Sequence, residues 1–174
     1  MANNIVLVGM PACGKSYICN KLAERLPNYT PIDTDSVIER TTGMKIPQIF
    51  AKYSEDYFRK LEYDTIKMVC TGVNKIISVG GGAFENPDNR ATLLKFGTVF
   101  YLKSDIDVLY YRISKENTRP LLQTENPMES LKELLKKREE NYHKAHYTLD
   151  TSKMTEDMII NTILGSIDEA KSSC

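Results

Sequence analysis

Gly9-Met10-Pro11-Ala12-Cys13-Gly14-Lys15-Ser16 fits the phosphate-loop pattern G-x-x-x-x-G-K-[ST]. The run before it, Ile5-Val6-Leu7-Val8, is short and wholly apolar, as a buried parallel strand requires. Residues 17–26 after it set Ile18, Leu22 and Leu26 on one helical face. A strand, a glycine-bearing turn and a helix N-terminus form the context this motif demands. Loop N–H groups and the positive end of the helix dipole then converge on one point, which favours a polyphosphate. Lys15 is placed to reach the outer phosphates and the Ser16 hydroxyl to ligate Mg²⁺.

The bulk of the chain narrows the options. Its 174 residues suit one domain, spanning 1–174, and 41% hydrophobic residues suffice for a core. Lys plus Arg and Asp plus Glu number 23 each, so the net charge is zero. Nucleic-acid and membrane-surface proteins carry a basic excess, so neither partner is expected, and the cations here serve small anions locally. No apolar run approaches the ~20 residues of a membrane span, and the N-terminus leads straight into a strand without a signal peptide. Cys13, Cys19, Cys70 and Cys174 form no C-x-x-C pair, which points to a reducing cytoplasm.

Strand and helix signals alternate along the whole length, predicting an α/β fold with a parallel sheet covered by helices. Strands are expected over 29–33, 75–79, 98–102 and 147–150. Helices are expected over 35–42, 45–53, from a Ser54 cap to about 71, over 89–96, from a Ser104 cap to about 114, over 129–146, and after a Thr155 cap. The polar, proline-bearing stretch 115–127 reads as a long loop, the kind that often forms a functional lid.

Several residues could carry chemistry. Asp33 and Asp35 stand where the second strand ends, in the crevice that open α/β sheets use for ligands. If the segment is extended, both carboxylates face one side, one for Mg²⁺ and one for a proton; otherwise they are a turn acid and a helix cap. Gly80-Gly81-Gly82 follows a buried strand and invites close approach of a ligand to the backbone. Arg59 and Glu62 are helical neighbours at i, i+3, either a surface ion pair or an arginine oriented to clamp a carboxylate. Arg119 arrives on the long loop, suited to charge developing in phosphoryl transfer, with Arg112 on the helix before it. Arg138 sits in a run of alternating charge that by itself reads as a solvated face.

Together, the phosphate loop, Asp33-x-Asp35, Phe58-Arg59-x-x-Glu62, Gly80-Gly81-Gly82, Arg119-Pro120-Leu121-Leu122 and Arg138-x-x-x-Tyr142 resemble the shikimate kinases, over nearly the whole chain. The resemblance implies a nucleoside-monophosphate-kinase-like fold, three layers about a five-stranded parallel sheet of order 2-3-1-4-5. It implies ATP as co-substrate, Mg²⁺, transfer of the γ-phosphate to shikimate, and a monomer. Ala12, Cys13, Gly14, Lys15, Ser16 and Tyr17 would then bind nucleotide, with Arg112 against adenine and Arg119 over the phosphates. Ser16, and Asp33 through water, would hold the metal. Asp35 would take the proton, and Arg59, Arg138, Gly81 and Gly82 would grip shikimate. A substrate-binding segment of about 33–62 and a lid of about 114–127 would move.

The family loop commonly reads G-x-x-G-x-G-K-[ST]-T, so Ala12 replaces a glycine and Tyr17 a threonine. Ala12 is compatible with the loop on the condition that its φ is negative, and Tyr17 implies a different nucleotide affinity. Cys13 reads either as a thiol activated by the helix N-terminus and Lys15 or as a small filler. A gluconate or nucleotide kinase is the rival within enzymes. A GTPase switch is disfavoured, because Asn74-Lys75-Ile76-Ile77 lacks the guanine-reading Asp and no Asp-x-x-Gly occurs.

Overall fold

A computed structural model describes residues 4–115 and 125–172. Strand β1 (Asn4–Val8) is buried at every position, as its unbroken apolar run demands. It pairs in parallel with β3 (Lys75–Ser78) on one side and β4 (Gly97–Lys103) on the other. β2 (Thr30–Asp33) extends the sheet beyond β3, and β5 (Tyr147–Asp150) beyond β4. The order is therefore β2-β3-β1-β4-β5, as the resemblance implied. All pairings are parallel, so the C-terminal ends of the strands lie along one edge, with β1 at the centre.

Eight helices are found among the described residues, seven between strands and the last after β5: α1 (Lys15–Arg25), α2 (Thr34–Thr42), α3 (Ile46–Lys52), α4 (Glu55–Val69), α5 (Pro87–Phe96), α6 (Ile106–Ser114), α7 (Pro127–Tyr142) and α8 (Glu156–Ser172). α1 packs beside α8, and α4 beside α5. Several boundaries differ from expectation for local reasons. Ser104 does not cap α6: its hydroxyl bonds Thr151, and Asp105 holds the cap position. α7 begins at Pro127, whose fixed φ suits the first helical turn, behind an Asn126 side chain that accepts from Glu129 N–H. It ends at Tyr142 rather than at residue 146.

The main core lies between sheet and helices, and a second, smaller cluster stands apart from it. Ile38, Ile49 and Phe58, with Met44, Ile46 and Leu61 around them, form the private core of α2, α3 and α4. The expected substrate-binding segment thus has its own apolar centre. Most of the expected lid, residues 116–124 and Arg119 with them, lies outside the described residues. No helix among those described is long and apolar enough to cross a membrane.

Candidate active site

At the C-terminal edge of the sheet a cleft of about 830 Å³ runs over the phosphate loop, from Tyr111 and Glu156 at one end to Asp35 and Gly81 at the other. Its floor is the turn from β1 into α1. Gly9 has φ +145°, and a Cβ there would stand 2.7 Å from the Leu102 carbonyl oxygen and 2.9 Å from Cys13 Sγ. Only glycine fits. Gly14, the N-cap of α1, is left-handed and offers no side chain to the helix N-terminus, so the first N–H groups of α1 stay directed at the cleft. Lys15 folds back into this hollow: Nζ donates to the carbonyls of Gly9 and Met10, both at 2.9 Å, and lies 3.8 Å from Cys13 Sγ. Cys13 itself is buried beneath the loop, which fits the filler reading.

Ala12 departs from expectation. Its φ is +64°, in the left-handed region, where its Cβ meets steric resistance. The loop keeps the conformation that a glycine would adopt freely, and alanine is forced to follow. Tyr17, on the exposed side of α1, donates its hydroxyl to Glu156 at the start of α8, so the two helices are joined across one end of the cleft. Arg112 Nη1 donates to the Ala12 carbonyl at 3.1 Å and so borders the loop.

The two aspartates converge, by a different geometry from strand alternation. Asp33 ends β2 and caps α2, its Oδ1 accepting from Ser36 N–H at 3.0 Å, while Oδ2 accepts from Ser16 Oγ at 2.9 Å. Asp35 already lies in the first turn of α2. That turn carries Asp35 over the glycine segment: Asp35 Oδ1 comes within 2.7 Å of where a Cβ on Gly80 would stand, and Glu62 Oε1 within 3.2 Å.

All three glycines face charged or tightly packed neighbours. A Cβ on Gly81 would meet Pro11 Cδ at 2.9 Å and Arg138 Nη1 at 3.3 Å. One on Gly82 would meet Arg59 Nη1 and Nη2 at 2.8 and 3.0 Å and Arg138 Nη2 at 3.3 Å. The turn is held from both sides. Thr34 Oγ1 accepts from Gly80 N–H at 3.2 Å, and the buried Tyr142 hydroxyl donates to the Gly81 carbonyl. Arg138 and Tyr142, one helical turn apart on α7, therefore address the same segment. Arg138 is no solvated-face residue: its side chain is 12% exposed.

Arg59 and Glu62 do pair, and on the Glu62 side the pair is buried rather than solvated. Glu62 is 1% exposed and accepts from Arg59 Nη1 at 3.0 Å, while Glu55 accepts from Nε and Nη2. Of the five guanidinium N–H groups, three are so engaged among the described residues, and both terminal nitrogens face Gly82. Burial, with the Asp35 charge nearby, raises the Glu62 carboxyl above its ordinary value, against the pull of Arg59 and Arg138. Motif reading did not single out Thr34, Pro11 or Glu85, which accepts from Arg138 Nε at 2.7 Å. Pro11 and Thr34 fill variable positions of their motifs and Glu85 belongs to none, so only tertiary contact reveals them.

A phosphate loop at the end of a central parallel strand, a hydroxyl–carboxylate pair beside it and two arginines against the glycine turn after the neighbouring strand define a P-loop kinase. The comparisons with known proteins narrow the class. The shikimate kinase family model matches residues 11–168. The shikimate kinase of Thermodesulfovibrio yellowstonii is 38% identical over 161 residues, 92% of each chain. The shikimate kinase from Acinetobacter baumannii, solved in complex with shikimate, superimposes with a TM-score of 0.89 at 36% identity, over 98% of this chain and 96% of that one. A gluconokinase from Sinorhizobium meliloti, at a TM-score of 0.64 and 14% identity over 98% of this chain and 94% of that one, shares the fold alone. The chain belongs to the shikimate kinase family.

Proposed function

We infer that this chain transfers the γ-phosphate of ATP to the 3-hydroxyl of shikimate, giving shikimate 3-phosphate and ADP, as a cytoplasmic monomer. The observation that carries the acceptor assignment is that Arg59 and Arg138 both lie against Gly82, two residues from Gly80, which Asp35 approaches. Two guanidinium forks suit a planar carboxylate far better than a nucleobase or a neutral sugar would need.

The phosphate loop binds the triphosphate through its N–H groups, and Lys15 exchanges the Gly9 and Met10 carbonyls for phosphate oxygens. Ser16 and Asp33 supply hard oxygen donors 2.9 Å apart, a sparse set that suits Mg²⁺, which keeps waters and phosphates as its other ligands. When bound, the ion neutralises charge on the phosphates. Arg59 and Arg138 hold the acceptor by its carboxylate, which turns a ring hydroxyl toward Asp35. Asp35 accepts the hydroxyl proton as the oxygen attacks phosphorus. Arg112, which borders the loop, is assigned to adenine on the family resemblance. Arg119 is assigned to the ATP phosphates on the family resemblance, as part of a closing lid that excludes water.

A coupled ADP-release assay with shikimate, quinate, gluconate and nucleoside monophosphates tests the assignment. Shikimate should give the highest kcat/KM. A higher value for gluconate or a nucleotide overturns it.

A further inference from the structure

The two arginines that face the glycine turn are restrained differently. Arg59 is held by Glu55 and Glu62, both on its own helix. Arg138 is held by a residue from elsewhere in the chain: Glu85, the last residue of a single 3₁₀ turn (Ala83–Glu85) directly after the triple glycine. Glu85 Oε1 accepts from Arg138 Nε at 2.7 Å, and Lys137 Nζ lies 4.0 Å from the other oxygen. Both partners are largely buried, with 12% of the Arg138 side chain and 22% of the Glu85 side chain exposed.

The backbone beneath Glu85 is fastened at every residue. Ala83 N–H donates to the Gly80 carbonyl at 3.0 Å and Glu85 N–H to the Gly82 carbonyl at 3.1 Å. Ala83 and Phe84 are fully buried. Asn89 Nδ2 donates to the Ala83 carbonyl at 3.2 Å, and Arg90 Nη1 to the carbonyls of Phe84 and Glu85 at 2.9 and 3.2 Å. The Glu85 carboxylate therefore springs from a fixed point. A guanidinium is planar, so a bond that fixes Nε also sets the direction of its terminal nitrogens. Here Nη1 and Nη2 lie 3.3 Å from the positions where Cβ atoms on Gly81 and Gly82 would stand. The opposing pull comes from Glu62, whose carboxyl feels the Arg138 charge across the recess.

We propose that Glu85 is a positioning residue of the acceptor site: its carboxylate, bonded to Arg138 Nε, holds both terminal nitrogens of Arg138 toward the glycine turn, where they receive the acceptor carboxylate. The proposal rests on the reading that Arg138 binds the acceptor. In this role Glu85 acts through Arg138 rather than on the acceptor itself. Its effect is to preorganise the fork, so that the cost of orienting a long, flexible side chain is met on folding rather than on binding.

Steady-state kinetics with shikimate and ATP on Glu85→Ala, Glu85→Gln, Arg138→Ala and the Glu85→Ala/Arg138→Ala pair, alongside thermal melts, test it. Glu85→Ala should raise the shikimate KM about tenfold, the low end for losing an outer hydrogen bond that orients a ligand-binding side chain. The kcat and the ATP KM should stay put, as loss of uniform acceptor binding requires. Glu85→Gln keeps an oxygen acceptor for Nε and should recover most of the loss. The pair should be no worse than Arg138→Ala alone, since the two residues act in series. An unchanged or lowered shikimate KM in Glu85→Ala overturns the proposal. So does a Gln variant as poor as the Ala variant, or a parallel loss of kcat and both KM values that tracks the melting temperature. If Arg138→Ala itself leaves the shikimate KM unchanged, the acceptor assignment of Arg138 falls first, and with it the premise about Glu85.

Discussion

Gly82→Ala separates the acceptor grip from the stability of the fold. Gly82 has φ −94° and ψ −10°, a right-handed conformation that alanine adopts without strain. Alanine there should leave stability unchanged or raise it by about 0.4–1 kcal/mol through the unfolded chain. The added methyl, however, would stand 2.8 Å from Arg59 Nη1 and 3.0 Å from Nη2, closer than non-bonded atoms tolerate. The flexible guanidinium gives way, not the backbone. A displaced guanidinium loses at least one charge-assisted hydrogen bond to the acceptor, about 1.5–3 kcal/mol, which is roughly 10- to 150-fold in the acceptor KM. Steady-state kinetics with shikimate, an ATP KM control and urea denaturation read all three quantities. Gly97→Ala supplies the converse: its methyl would stand 2.7 Å from the buried Val6 Cγ2 and 3.0 Å from the Asn4 carbonyl oxygen, so stability falls while the acceptor KM holds. A shikimate KM for Gly82→Ala within about twofold of wild type would refute the placement of Arg59 over the glycine turn.

Asp35→Asn should lower kcat by about 10²–10⁴, the usual contribution of a positioned base, with ATP affinity by calorimetry unchanged; a near-normal kcat removes Asp35 as proton acceptor. Ala12→Gly should raise the urea midpoint by the equivalent of up to about 1 kcal/mol, because glycine accepts the left-handed φ that alanine resists. A lower midpoint would contradict that conformation. Burial lifts the Glu62 carboxyl, with Asp35 adding to the effect, so the folded state holds this proton more tightly than the unfolded chain. Unfolding free energy contributed by Glu62 therefore falls as pH rises from its unfolded value, about 4.3, through the higher folded one. Glu62→Gln should make the pH slope of stability less negative across that window, and equal slopes in urea titrations at several pH values would count against it.

What the chain discloses in one dimension depends on whether the determining contact is local. The strand, loop and helix about Gly9–Ser16 are set by neighbours within a few residues, and motif and periodicity located them directly. The start of α7 was legible too: Asn126-Pro127 before Glu129 is a cap followed by proline in the first turn, a signal outweighed by counting that proline as loop. Asp33 and Asp35 converge because a helix cap falls at Asp33, and a residue-by-residue alternation could not foresee that turn. Arg138 lies in a charged stretch that looks solvated until the 3₁₀ turn of Ala83–Glu85 is packed against it. The left-handed Ala12 likewise follows from the closure of the whole phosphate loop rather than from its own preference.

The apolar cluster of Ile38, Ile49 and Phe58 lies outside the core that holds the sheet together. The segment proposed to hold the acceptor, bearing Arg59 and Glu62, therefore has an apolar centre of its own between β2 and β3. Substitutions inside it can reshape what is phosphorylated while the nucleotide half keeps its foundations. A selection for new acceptors should accordingly find its tolerated changes around Ile38, Ile49 and Phe58, and leave the strands beneath the triphosphate untouched.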